Sequence, residues 1–403
     1  FGSIGLLAWV ATSCGAVVLA LVFSRLSRIY PMSGGPYAYC RQAYGDYIGF
    51  QIAYCYWIAC WIGNAAIVIA MVGSLAYFFP LLSSQPYSIL ASLAILWFVT
   101  GINLFGVRQV GVVQVVTAIM KFIPLISIAL AGFFFMDFGA LSSFNVSDTS
   151  NSSAFVGAAA LTLWSFIGLE SATIPAGEAS NPKRDIPLAT ILGTLLAAVV
   201  YIGSTAAVMG LVPMAELAHT DAPFVLAAYR LFGEWGAELI AIVSVIAIVG
   251  TLNGWILMQA QMPMAAAEDG LFPKLFCRLG ARGTPVFGLM LSSFLISGLL
   301  VIHTDSSLVD QFTLVTELAV VATLIPYVFS SLAEIVFMLK NPEHYQSRLE
   351  RTKVIVLAVI AFCFTFFAFS GVDATVVYYV FLLMLSSVAA YIWLEWSHLH
   401  TRE

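Results

Sequence analysis

A carboxylic acid inside an apolar run offers the most chemistry in this chain. The stretch Thr162-Leu163-Trp164-Ser165-Phe166-Ile167-Gly168-Leu169-Glu170-Ser171 lies within an apolar segment from about 154 to 174. An acid at that depth is costly, which points to an ion or substrate path; the alternative is a hydrogen-bonded acid near a helix end. Trp164 in the same stretch, and Trp255 in Gly250-Thr251-Leu252-Asn253-Gly254-Trp255, can turn ring faces to a cationic group. Each such contact contributes about 0.5 to 2 kcal/mol. Asn64 ends the run Tyr56-Trp57-Ile58-Ala59-Cys60-Trp61-Ile62-Gly63-Asn64, and Tyr56, Cys60, Asn64 and Ile67 share one helical stripe. Its carboxamide needs partners inside the protein, from a neighbouring helix or from a ligand. Lys121, followed closely by Pro124, is a second ionisable group within an apolar run. Glu317 lies at the outer end of another run, and Glu334 is close enough to a helix end to snorkel.

Enzyme signatures do not accompany these groups. The chain has no H-E-x-x-H, G-x-S-x-G or G-x-x-x-x-G-K-[ST] pattern, and its five histidines fall in connecting segments or the tail. Hydrolase, metalloenzyme and ATP-driven pump readings therefore find no support; no cofactor and no metal site are expected. The six cysteines form no C-x-x-C pair and read as small core residues rather than disulfides.

The elements that must position these residues are membrane spans. Of 403 residues, 61% are hydrophobic and 9% charged, far below the roughly 25% charged of a soluble domain. A net charge of -5 without a clustered basic face excludes nucleic acid as a partner. Crossing ~30 Å of hydrocarbon takes about 20 helical residues. Apolar runs predict spans at 4–23, 47–78, 86–106, 111–136, 154–178, 188–212, 236–262, 284–302, 311–338, 353–371 and 374–396. All lysines and arginines except Arg230 and Lys121 fall on one side of that arrangement. The bias predicts a chain that starts outside and has a cytoplasmic C-terminus. An odd number of spans with an outside start predicts one further helix ahead of Phe1. Residues 222–233 read as a short amphipathic helix on the membrane surface.

Four motifs, in order, carry a family resemblance: the run from Tyr56 to Asn64, the run from Leu163 to Ser171, Asn181-Pro182-Lys183-Arg184-Asp185-Ile186-Pro187 and Asp269-Gly270-Leu271-Phe272-Pro273. Together with Ser33-Gly34-Gly35-Pro36-Tyr37-Ala38-Tyr39, they resemble the amino acid-polyamine-organocation (APC) transporters. The likeness is strongest to arginine/agmatine antiporters and related basic amino acid and polyamine antiporters. It implies an all-α integral membrane protein with a five-plus-five inverted-repeat fold and two C-terminal helices, eleven of twelve helices being present. On that reading 1–403 is a single transmembrane domain. Residues 1–136 are the remainder of the first repeat, 154–338 the second repeat and 353–396 the two C-terminal helices.

The resemblance also implies roles. Asn64, Ala59, Cys60, Trp164, Ile167, Trp255 and Ala319 would bind substrate; Tyr56, Trp164 and Tyr327 would gate; Glu170 would be the proton-sensitive acid. Ala319 stands where arginine/agmatine antiporters have a hydroxyl, Ile67 replaces a methionine, and Lys121 replaces a small residue. A lysine near that place occurs in proton-coupled relatives, so Lys121 would cycle its charge or fix helix packing. The implied function is antiport of a cationic amino acid against its decarboxylated amine by alternating access. The alternatives are a proton-coupled amino acid symporter and a truncated, non-transporting membrane protein. The implied partners are a small amino acid or amine and the lipid bilayer of the plasma (inner) membrane; homodimer formation stays open.

Overall fold

The computed structural model describes residues 1–104, 107–174, 179–218, 220, 222–302, 307–345 and 347–400. Arg402 and the side chain of Arg108, which entered the basic-residue bias, lie outside the described residues. Helices follow one another as α1 (Ile4–Ile29), α2 (Pro36–Tyr44), α3 (Asp46–Ala76), α4 (Tyr87–Asn103), α5 (Val107–Phe135), α6 (Asn151–Trp164) and α7 (Pro182–Leu211). The second part contains α8 (Met214–Leu217), α9 (Pro223–Phe232), α10 (Glu234–Glu268), α11 (Val286–Ile302), α12 (Leu308–Lys340), α13 (Arg348–Phe369) and α14 (Ala374–His400). Each predicted span except 154–178 coincides with one helix; that one is helical only to Trp164 and continues as short turns, with 175–178 outside the described residues. Among the described residues eight helices are long and apolar enough to cross a membrane. The 14 residues of α6 rise only about 21 Å, too little to cross ~30 Å alone.

Burial ranks the helices. In α3, 72% of the most apolar window is buried by protein, against 17% in α14. The first is therefore the axis of the bundle and the second presents its apolar surface outward. α3 packs chiefly on α12 and α10, whereas α1 packs chiefly on α7 and α6. The substrate-sized space described below lies where these two groups face each other. Serine caps start two of the helices: Ser150 accepts from the Ser153 N–H ahead of α6 and Ser307 from the Asp310 N–H ahead of α12, satisfying donors that a helix start leaves open. Pro124, Pro187, Pro263 and Pro326 lie inside α5, α7, α10 and α12; a proline in a helix interior removes a backbone donor.

The short helix α2 is fastened to the ends of longer ones. The Lys340 ammonium donates to the Ala43 carbonyl at 2.8 Å, neutralising the negative end of α2. The Tyr44 hydroxyl donates to the Phe329 carbonyl at 2.9 Å, and Arg41 pairs with Asp269 at 2.8 Å. The Tyr37 hydroxyl also donates to Asp269; burial first, and then this carboxylate, push its phenol above the ordinary tyrosine range.

Three expectations need correction. α9 forms where a surface helix was expected, but its Val225, Ala227 and Ala228 are buried in a cluster with residues of α5, α7 and α10, so protein covers that face. Cys40, Cys55 and Cys60 are buried as expected, Cys277 is partly so, and Cys14 and Cys363 are exposed instead. Glu334 does not snorkel: it is 2% exposed and is held by Arg25, because α1 continues past the predicted end of its span.

Candidate functional site

At Trp164 the α-helical ladder of α6 gives way to i→i−3 bonds. Ser165, Phe166, Ile167 and Leu169 N–H groups donate to the Thr162, Leu163, Trp164 and Phe166 carbonyls, and Ser171, Thr173 and Ile174 continue the pattern. Gly168 sits at φ +103°, and a Cβ on it would lie 2.7 Å from the Trp255 ring. Both facts require glycine: an L side chain is strained in that backbone region, and the indole occupies its space. Gly63 plays a similar part for the other tryptophan, since a Cβ there would stand 3.0 Å from the Trp164 ring.

Between the two indoles lies a cavity of about 290 Å³. Tyr56, Ala59, Cys60, Gly63 and Ile67 of α3 form one wall; Trp164, Ser165 and Ile167 of the broken segment form another. Lys121, Tyr201, Thr251, Trp255 and Thr323 complete it. A second cavity of about 530 Å³ adjoins it and shares Lys121, Tyr201 and Thr251; Pro223 and Phe224 of α9 lie on its far side. Among the described residues the lining of the central cavity has no carboxylate, and its one cation is Lys121. Lys121 makes no ion pair among the described residues.

Glu170 lies behind Tyr56, fully buried. The Tyr56 hydroxyl donates to its Oε1 at 2.6 Å. The Tyr327 hydroxyl and the Gly168 N–H, the latter at 3.2 Å, donate to Oε2. Three donors from α3, α12 and the broken segment thus meet one acid. A carboxylate with several charge-assisted hydrogen bonds is what makes such burial tolerable. The acid knots together elements of both helix groups.

Placement of the sequence-derived candidates is uneven. Ala59, Cys60, Trp164, Ile167, Trp255 and Lys121 line the cavity with Tyr56. Asn64 and Ala319 are fully buried outside that lining. Asn64 donates through Nδ2 to Gln259 Oε1 at 2.7 Å, and Ala319 backs the wall near Gly63. Tyr56 and Tyr327 hold the same acid. Tyr201, Thr251, Thr323 and Ser165 were missed. An ordinary Tyr, Thr or Ser in an apolar run carries no signal of its own; helical spacing from Trp255 back to Thr251, and of Thr323 between Ala319 and Tyr327, was the available hint.

Comparison with known proteins agrees with this architecture. The family profile described as amino acid permease matches residues 2–396. The cadaverine/lysine antiporter of Escherichia coli is 33% identical over 379 residues, covering 93% of this chain and 84% of that protein. The putrescine transporter PotE of Escherichia coli is 35% identical over 339 residues, covering 83% and 76%. A crystal structure of a mutant Eremococcus coleocola manganese transporter superposes with a TM-score of 0.59 at 13% identity, over 98% of this chain and 88% of that one; it supports the fold alone. The chain belongs to the amino acid permease family of the APC transporters and is a multi-pass membrane transporter.

Proposed function

We propose that this transporter exchanges a cationic amino acid for its decarboxylated amine by alternating access, with lysine/cadaverine, ornithine/putrescine and arginine/agmatine as the pairs to test. The observation that carries the reading is the pair of indoles bounding the central cavity, with Glu170 tying the helices behind it. Ring faces attract an alkylammonium or guanidinium without an acid in the lining, so a cation can bind and still leave. On this reading Trp164 gates the cavity, Ala59, Cys60, Ile167 and Trp255 contact the substrate, and Glu170 senses protons through Tyr56 and Tyr327. Asn64, bonded to Gln259 outside the lining, reaches the substrate only if the cavity wall rearranges. The names of two relatives, a cadaverine/lysine antiporter and a putrescine transporter, support the same substrate class. Residence in the inner membrane with a cytoplasmic C-terminus accords with the basic-residue bias.

Proteoliposomes test this directly. Labelled amino acid should enter vesicles preloaded with the matching amine at least about tenfold faster than it enters empty ones. Equal entry into both would overturn exchange. A second reading, proton-coupled symport, is favoured by the unpaired Lys121 in the cavity wall. It expects uptake into empty vesicles driven by an inward proton gradient, which exchange does not.

A further inference from the structure

One buried acid has no part in the cavity. Glu334 of α12 has a side chain 3% exposed, and Arg25 of α1 grips it. Arg25 Nε donates to Oε1 at 3.0 Å and to Oε2 at 2.8 Å, and Nη2 donates to Oε1 at 2.6 Å. The Arg25 side chain is 30% exposed; replacing even a fully buried pair by apolar residues is often neutral or stabilising, whereas removing one partner leaves the other charge uncompensated. Stability alone does not account for it.

Its position does. Thr323, Tyr327 and Glu334 lie in order along α12: the first lines the central cavity, the second holds Glu170 and the third holds Arg25. Tyr327 and Glu334 are seven residues apart, so they share a helical face about 10 Å from one another. α1 belongs with α6 and α7, whereas α12 belongs with α3. The Arg25–Glu334 pair thus crosses the same divide as the Glu170 knot, farther from the cavity. Phe23 packs edge-on against Tyr327 at 5.5 Å and Tyr30 against Phe337 at 4.5 Å, so aromatic contacts flank the ion pair along this seam. Beside Arg25 a further cavity of about 490 Å³ is lined by Arg28, Tyr30, Asn341, Tyr345 and Glu350. The Glu350 carboxylate is 4.0 Å from Arg25 Nη2, a second acceptor already within reach on the first turn of α13.

We infer that Arg25 and Glu334 form a second latch, which holds the transporter closed at the end of the bundle where α1 and α12 finish. Opening there requires Arg25 to leave Glu334, and Glu350 receives it. The inference rests on alternating access but not on which substrate moves.

Cys60 in the cavity wall, 3% exposed, is a native reporter. In a protein retaining Cys60 alone, the rate of modification by a charged methanethiosulfonate reagent is measured in right-side-out and inside-out vesicles, with thermal unfolding recorded for each variant. Glu334→Gln keeps a hydrogen-bond partner for Arg25 but removes the charge. It should speed labelling about tenfold from the latch face only, as a minor open state becomes substantially populated. The exchanged pair, Arg25→Glu with Glu334→Arg, should return the rate toward that of the parent. An unchanged rate in folded Glu334→Gln, or an exchanged pair that labels as fast as the single variant, would overturn the latch. Labelling as described in a protein that shows no amino acid/amine exchange would leave the latch standing and remove the exchange reading instead.

Discussion

Glu170→Gln is expected to fold, to transport more slowly and to lose its response to pH. The parent acid accepts from Tyr56, Tyr327 and Gly168 at once. Protonation converts an acceptor-only group into one that must also donate. One of those bonds must then be rearranged, so the knot between α3, α12 and the broken segment loosens as the pH falls. Each hydrogen bond to a charged group contributes about 1.5 to 3 kcal/mol, enough to change the population of a closed state by roughly ten- to a hundredfold. Glutamine fixes the neutral condition permanently. Exchange measured in proteoliposomes from about pH 5 to about pH 8 should vary severalfold in the parent and stay within about twofold in the variant. A variant that kept the parental profile would remove Glu170 from proton sensing. Tyr327→Phe should weaken the knot but preserve the slope, because the titrating group remains.

Gly168→Ala should be the most damaging of the small substitutions. Its backbone is at φ +103° and its Cβ would meet the Trp255 ring at 2.7 Å. Holding an L residue in a sparsely populated backbone region costs of order 1 to 3 kcal/mol, and the indole must retreat as well. Displacing a binding group by about 1 Å can cost on the order of a hundredfold in rate. Exchange should therefore fall by about that factor, with a lower unfolding temperature. Gly193→Ala in α7 is the matched control. No neighbour among the described residues lies within 4 Å of the added Cβ, and alanine is favoured over glycine in a helix by about 1 kcal/mol. Parental exchange in Gly168→Ala would show that the Gly168–Trp255 contact does not shape the site.

The spans were legible because about 20 apolar residues and their basic flanks carry a strong signal. Helix ends were less so: α1 runs on through Arg25 to Ile29, since a charged residue at a membrane edge says nothing about whether the backbone stays helical. That is why the Glu334 partnership was invisible. The residues of the broken segment stood out by type, yet the point of rupture at Trp164 is set by Gly168 and the i→i−3 bonds around it, which hydropathy does not report. Asn64 was conspicuous as a polar residue in an apolar stripe, but its Nδ2 donates to Gln259 on α10. A pairing between residues 195 positions apart has no local trace. Thr251, Tyr201 and Thr323 were missed because their side chains are common in apolar helices.

Pro326 gives α12 a joint. It falls between Thr323, whose hydroxyl bonds back to the Ala319 carbonyl at 2.8 Å, and Tyr327. Lacking an N–H, it cannot complete the bond to the Ala322 carbonyl, so the helix bends there at reduced cost. The half bearing Ala319 and Thr323 can stay seated on α3 while the half bearing Tyr327 and Glu334 swings. A proline at that place lets movement at the latched end be taken up within α12 before it reaches the cavity wall.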